Sequence, residues 1–314
     1  MTRYLVERTA WLLVVLLGVS VITFGLGAAA PGDPAELALE RELNAPPTGE
    51  QMRAKRQELH LDRSLVEQYA RWLGDAVRGD LGESWATGAS VTASLRERMP
   101  RTVLLALTAL GLSIAMALPV GLAAAYHRDT AVDHATRVTS MLGASVPSYM
   151  VAYLLTLFLA VRLKVLPVFG YGSPSDLALP ALTLALGSAA GLTRFTRSAV
   201  LDVLGEDFLR TARAKGVGVN RLLFGHALRN AGVPIVSVVG LSLGGLLGGA
   251  FIVEWIFAWP GMGTLAIEAI NNKDYPLIQG FVLFSATVYV LVNFLTDLAY
   301  GALDPRIRLV RGDR

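Results

Sequence analysis

The strongest constraint in this 314-residue sequence is a set of six apolar runs, each close to the length of one bilayer crossing and each nearly free of charge. They lie at about Ala10 to Ala30, Thr102 to Ala125, Val138 to Val161, Leu177 to Thr193, Val233 to Trp255 and Leu277 to Tyr300. A helix rises about 1.5 Å per residue, so roughly 20 apolar residues match a hydrocarbon core of about 30 Å. Within that core every backbone polar group needs an internal partner, and a continuous apolar run meets this demand as a helix. The chain is 53% hydrophobic and only 17% charged, against about 25% charged in ordinary globular chains. A soluble domain is excluded, and the pattern predicts an all-α polytopic membrane protein with six transmembrane helices.

The first run follows Arg3 and Arg8 and exceeds the ~7–15 apolar residues of a signal-peptide core, so it is read as a retained span despite the cleavage-like Ala28-Ala29-Ala30. Pro180 falls near the start of the fourth run, where proline suits the first turn of a helix. Six crossings put both termini on one side. That side carries Arg3 and Arg8, Arg128, seven basic residues from Arg194 to Arg229, and four from Arg306 to Arg314; the short loops opposite hold Arg162, Lys164 and Lys273. The excess of positive charge places both termini in the cytoplasm. The expected division is an N-terminus and first span over 1–30, an extracytoplasmic insertion over 31–101, a five-helix core over 102–303 containing a cytoplasmic loop at 196–232, and a cytoplasmic tail over 304–314. Within the insertion, helical pieces are expected near Glu50 to Leu59 and Leu65 to Val77, and Tyr69, Trp72 and Trp85 make it richer in aromatics than a tether.

The basic loop is itself patterned. Glu206 to Lys215 reads as a helix that Gly216 ends as a C-cap, and a second short helix is expected from Asn220, as N-cap, through Leu222, Leu223 and Phe224 to Leu228. Two short helices at an angle fit a groove on a partner; the plainer reading is a solvated loop obeying the charge rule. The formal net charge of +3 follows from such loops and points to no nucleic acid.

Arg210-Thr211-Ala212-Arg213-Ala214-Lys215-Gly216 followed by His226-Ala227-Leu228-Arg229-Asn230 resembles the coupling segment of ABC-importer permeases, in the form of the dipeptide, oligopeptide and nickel branch. In the broad pattern of Glu-Ala-Ala, three residues, Gly, nine residues and Ile-x-Leu-Pro, the departures are Arg210 for the acid, Thr211 for the first alanine, His226 for Ile and Arg229 for Pro. The likeness extends to Ala30-Pro31-Gly32-Asp33-Pro34, Ser145-Val146-Pro147-Ser148, Phe257-Ala258-Trp259-Pro260-Gly261 and Leu303-Asp304-Pro305-Arg306-Ile307-Arg308. It implies a type I ABC-importer permease fold in the bacterial inner membrane. The implied partners are a homologous second permease subunit, two cytoplasmic ATPase subunits that hold ATP and magnesium, and an extracytoplasmic substrate-binding protein. The expected coupling residues are Arg210, Thr211, Ala212, Arg213, Ala214, Lys215, Gly216, His226, Leu228 and Arg229. Peptides are the expected cargo, with nickel or a metal chelate as the alternative suggested by Gly170-Tyr171-Gly172, Asn272-Lys273-Asp274-Tyr275-Pro276 and Pro46-Pro47-Thr48.

The remaining constellations are weaker. Gly240, Gly244, Gly245, Gly248 and Gly249 form small-xxx-small pairs in the fifth run, either for packing inside this subunit or for a movable helix beside the pathway and a second permease. Glu254 is expected at the outer end of that run, where it can reach water, and Asp297 near the inner end of the sixth; pairing or capping is expected of both in preference to proton relay. There is no cysteine, no His pair at metal-binding helical spacing and no GxxxxGK[ST] phosphate loop. The chain is therefore expected to bind no metal or cofactor, to catalyse nothing itself and to draw its energy from a partner. An ion-gradient-driven secondary transporter and a recruiting membrane scaffold are the alternatives from other classes.

Overall fold

The computed structural model describes residues 2–42 and 47–303. The expected tail over 304–314, Pro46 and the side chain of Asp297 lie outside the described residues. Among the described residues the only pairing outside helices and turns is one antiparallel bridge between Glu83 and Ser90. The helices are α1 (Thr2–Ala28), α2 (Pro34–Glu42), α3 (Gly49–Glu58), α4 (Leu65–Val77), α5 (Val91–Tyr126), α6 (Ala131–Ser145), α7 (Ser148–Leu155), α8 (Pro174–Leu204), α9 (Asp207–Ala214), α10 (Leu228–Ile256), α11 (Met262–Asn271) and α12 (Tyr275–Leu303). Two π-helical segments, Thr156–Arg162 and Arg221–Ala227, continue α7 and precede α10.

Five helices are long and apolar enough to cross a membrane, and a bent pair makes a sixth crossing if taken as one. The expected third span, Val138 to Val161, falls on that pair. Ala131–Ser145 and Ser148–Arg162 are bent by 102°, because Pro147 restricts the residue before it and offers no N–H, and Val146 is accordingly extended at φ −82°, ψ 125°. The fourth span is also longer than the apolar run suggested. Pro174, not Pro180, takes the first turn of α8, while Pro180 is buried inside the helix. Helix α5 begins at Val91, eleven residues before its apolar stretch, and at about 1.5 Å per residue its 36 residues outrun the bilayer core.

The described residues divide into two compact units, those within 1–100 and 261–290 and those from 101–260 and from 291 onward. In the first, capping boxes start two helices of the insertion, Thr48 with Gln51 at α3 and Ser64 with Glu67 at α4. The organising residue is Asp274, fully buried just before α12. It accepts the Ser84 hydroxyl and the backbone N–H groups of Trp85 (3.1 Å), Ala86 (3.3 Å) and Leu277 (3.4 Å). Tyr275 then packs edge-on to Trp85 and donates its hydroxyl to the Pro31 carbonyl at 3.0 Å.

The second unit is built around α8, whose span is 56% buried against 11% for α1. Helix α5 approaches it closely: Ser113 donates to the Ala185 carbonyl at 3.1 Å, and a Cβ on Gly121 would lie 2.8 Å from Cβ of Thr196. Two apolar cores result. One joins Leu105, Leu110, Leu179, Leu184, Leu246, Val253 and Phe257; the other joins Leu122, Leu192, Val200, Leu209, Leu222, Ala231 and Ile235.

Candidate functional site

The second core carries the basic loop. Helix α9 is held by one anchor: Leu209 is fully buried, while Phe208, Arg210, Thr211, Arg213, Ala214 and the following Lys215 are exposed and Ala212 is half-buried. The exposed Asp207–Arg210 pair at 3.5 Å adds little to stability. The end of α9 is fixed by two backbone bonds, Gly216 N–H to the Arg213 carbonyl (2.9 Å) and Val217 N–H to the Ala212 carbonyl (3.2 Å). They form a Schellman motif, which needs a left-handed residue, and Gly216 has φ +77°.

The second expected short helix is corrected. Asn220 already has helical angles, φ −61° and ψ −43°, and is no N-cap. Arg221–Ala227 winds as a π-helix that runs straight into α10, so the loop holds one short helix and the widened first turns of a span. Leu222, Leu223 and Ala227 are buried in this segment, His226 and Leu228 are half-buried, and Arg229 is exposed. Phe224 stays 59% exposed, Phe208 46% and Val219 44%. Tyr126 from the end of α5 joins Arg213, Val217, Val219 and Leu222 around a shallow hollow of about 400 Å³. The resulting surface is a buried aliphatic floor under an exposed rim of aromatic, aliphatic and basic side chains.

Helices α6 and α8 are joined by an ion pair that the sequence did not single out. Asp133 of α6 is fully buried and receives Arg197 of α8 through Nε and Nη2, the latter at 2.7 Å, together with the Asp129 N–H at 3.0 Å. Sixty-four residues separate the pair, and no local spacing signals it. Phe224 was visible as the one aromatic in the second half of the loop, whereas Phe208 and Leu209 were missed because a helix only eight residues long shows little periodicity.

The glycines of α10 separate into two groups. A Cβ on Gly240 would collide with Thr296 of α12, and Gly244 is buried, so these two serve packing within the chain. Gly245, Gly248 and Gly249 are exposed with open space above them. Glu254 requires a correction: it does not reach water. It is fully buried and accepts the Thr102 hydroxyl at 2.6 Å, since α10 runs past it and closes with Ala258 in the left-handed region at φ 51°. The chain then folds back, burying Trp259, whose indole N–H donates to the Arg101 carbonyl at 3.1 Å and whose ring meets Tyr171 at 5.1 Å. Arg101 lies 5.0 Å over the same Tyr171 ring.

Comparison with known proteins identifies the family. The family model described as "Binding-protein-dependent transport system inner membrane component" matches residues 117–309, and that of the corresponding N-terminal region matches residues 1–106. The chain is 39% identical to a probable peptide ABC transporter permease protein of Sinorhizobium fredii, over 97% of this chain and 99% of that one. It is 35% identical to the oligopeptide transport system permease protein AppB of Bacillus subtilis, over 98% and 99%. It is 36% identical to the glutathione transport system permease protein GsiC of Escherichia coli, over 98% and 99%. Among solved structures, its fold is similar to that of the inward-facing MetNI methionine ABC transporter, with a TM-score of 0.58 at 16% identity over 67% of this chain and 96% of that one. Full-length matches of this kind leave one conclusion: the chain is a multi-pass membrane protein that belongs to the family of binding-protein-dependent transport system inner membrane components.

Proposed function

We propose that this protein is one permease subunit of an ATP-driven importer of di- and oligopeptides, and that the segment from Asp207 to Arg229 receives the motion of a cytoplasmic ATPase. The observation that carries this reading is the rigid mounting of α9, with Leu209 plugged into the core of the spans and a Schellman motif at its end, beneath exposed Phe208, Phe224 and Arg210. A force applied to such a helix passes through packed side chains into α8 and α10; a solvated loop would absorb it. The relatives named above, for peptides, oligopeptides and glutathione, support a peptide cargo, and nickel is not needed to account for them. Family membership favours an ATP-driven machine over a gradient-driven transporter.

In this reading both termini and the coupling segment are cytoplasmic, and the distribution of basic residues supports that orientation. The chain supplies half of the pathway, a related second permease the other half, two ATPase subunits bind ATP and magnesium, and a binding protein delivers substrate from outside. The exposed Gly245, Gly248 and Gly249 face that second permease. The test uses the absence of cysteine in this chain. In the copurified complex, single cysteines replacing Phe208 and Phe224 are expected to crosslink to the ATPase subunit, and one replacing Val6 is not. Failure of both loop positions to crosslink in an intact complex would remove the coupling role.

A further inference from the structure

Helix α4 has more apolar surface than the protein covers. Leu65, Val66, Tyr69, Ala70, Trp72, Leu73, Ala76 and Val77 recur at helical spacing, while Glu67, Gln68, Arg71 and Asp75 occupy the other face. One edge of the apolar face is occupied by α1: Phe24 lies 5.5 Å from the Tyr69 ring and 5.8 Å from the Trp72 ring, and the Tyr69 hydroxyl pairs with that of Ser20 at 2.8 Å. The other edge is bare, with Val66 at 76% and Val77 at 80% exposure.

What covers that edge follows from the element α4 is fastened to. Helix α1 is a membrane-crossing candidate that is 11% buried, and Leu17, Val21 and Ile22 beside the contact residues are themselves exposed. Phe24 and Ser20 lie four and eight residues before the end of α1 at Ala28, hence about 6 and 12 Å inside it at the helical rise. Interfacial amphipathic helices bury their apolar faces about 5–10 Å into the boundary between headgroups and acyl chains. Tyr69 and Trp72 belong to the residue types enriched at that depth, and Arg63 and Arg71 flank the polar side, where headgroup phosphates lie.

We propose that α4 is a membrane-surface helix whose bare edge rests on lipid acyl chains, so that the insertion is pegged to the bilayer beside the first span as well as joined to it covalently. The leaflet, extracytoplasmic, rests on the orientation given above; the lipid contact does not. Two consequences follow. The surface left for a soluble partner is the polar side of α4, and α1 and α4 move together in the membrane plane.

The test is a depth measurement on the full chain in nanodiscs of phosphatidylethanolamine and phosphatidylglycerol. Single cysteines replacing Val66, Ala70 and Val77, and Glu67 and Arg71 as controls, carry an environment-sensitive fluorophore, with spin-labelled acyl chains as lipid quencher and iodide as aqueous quencher. Labels at Val66 and Val77 are expected to be quenched several-fold more by the lipid probe than those at Glu67 and Arg71, with the reverse order for iodide. Equal lipid quenching at all sites would overturn the proposal, and so would protection of Val66 and Val77 from both quenchers, which would mean that a protein covers the face. No substrate or ATP enters the measurement, so a lipid-buried α4 in a complex that fails to import peptides would count against the importer reading alone.

Discussion

Gly216 shows how a single backbone angle bears on the proposed coupling. Its φ of +77° is required by the motif that ends α9, yet an added Cβ would meet nothing within 4 Å. The cost of replacing it is therefore conformational, about 1–2 kcal/mol for an ordinary L residue in the left-handed region. Gly216→Leu is expected to leave the complex assembled and ATP hydrolysis running while peptide uptake falls. Gly216→Asn, which tolerates that region, is expected to retain most uptake, and equal loss in the two variants would show that shape, not angle, matters. The Asp133–Arg197 pair makes a different prediction. Removing Asp133 leaves the partly buried Arg197 without its buried partner, which costs more than the loss of an exposed pair. Asp133→Ala should lower the melting temperature of the purified protein far more than Arg210→Ala, whose exposed pairing is nearly neutral.

At the scale of elements, α10 offers an internal control. Gly240→Val drives a side chain into Thr296 of α12 and should destabilise by about 1–3 kcal/mol as overpacking does. Gly248→Val meets only open space within the chain, so monomer stability should be unchanged while assembly with the proposed second permease falls. A Gly248 variant that assembles normally would place that face against lipid. Asp274→Ala should release the loop it holds, seen as faster amide exchange at Trp85 and Ala86 with the spans unaffected. The spans themselves were legible in the sequence because length and lack of charge suffice to identify them. The break between α6 and α7 was not, although Pro147 was in plain view: an apolar run continues across it, and run length is blind to a bend. The π-helical start of α10 was likewise hidden, since residues 221–228 carry an ordinary helical composition.

For the whole molecule, legibility followed the distance between partners. The segment proposed for coupling stands out in the sequence because its residues are contiguous; the burial of Glu254 does not, because Thr102 lies 152 positions away and the carboxylate is covered only when α5 and α10 meet. The same holds for Asp133 with Arg197. Family membership then connects a locally legible loop to a machine that a single chain does not contain. The most direct measurement is labelled oligopeptide uptake into proteoliposomes holding the copurified complex, with its binding protein supplied on the side opposite the ATPase subunits. Uptake that requires ATP hydrolysis, persists without any ion gradient and is lost in Gly216→Leu while hydrolysis continues is the predicted result. Uptake driven by an ion gradient in the absence of ATP would contradict the ATP-driven permease role assigned to this chain.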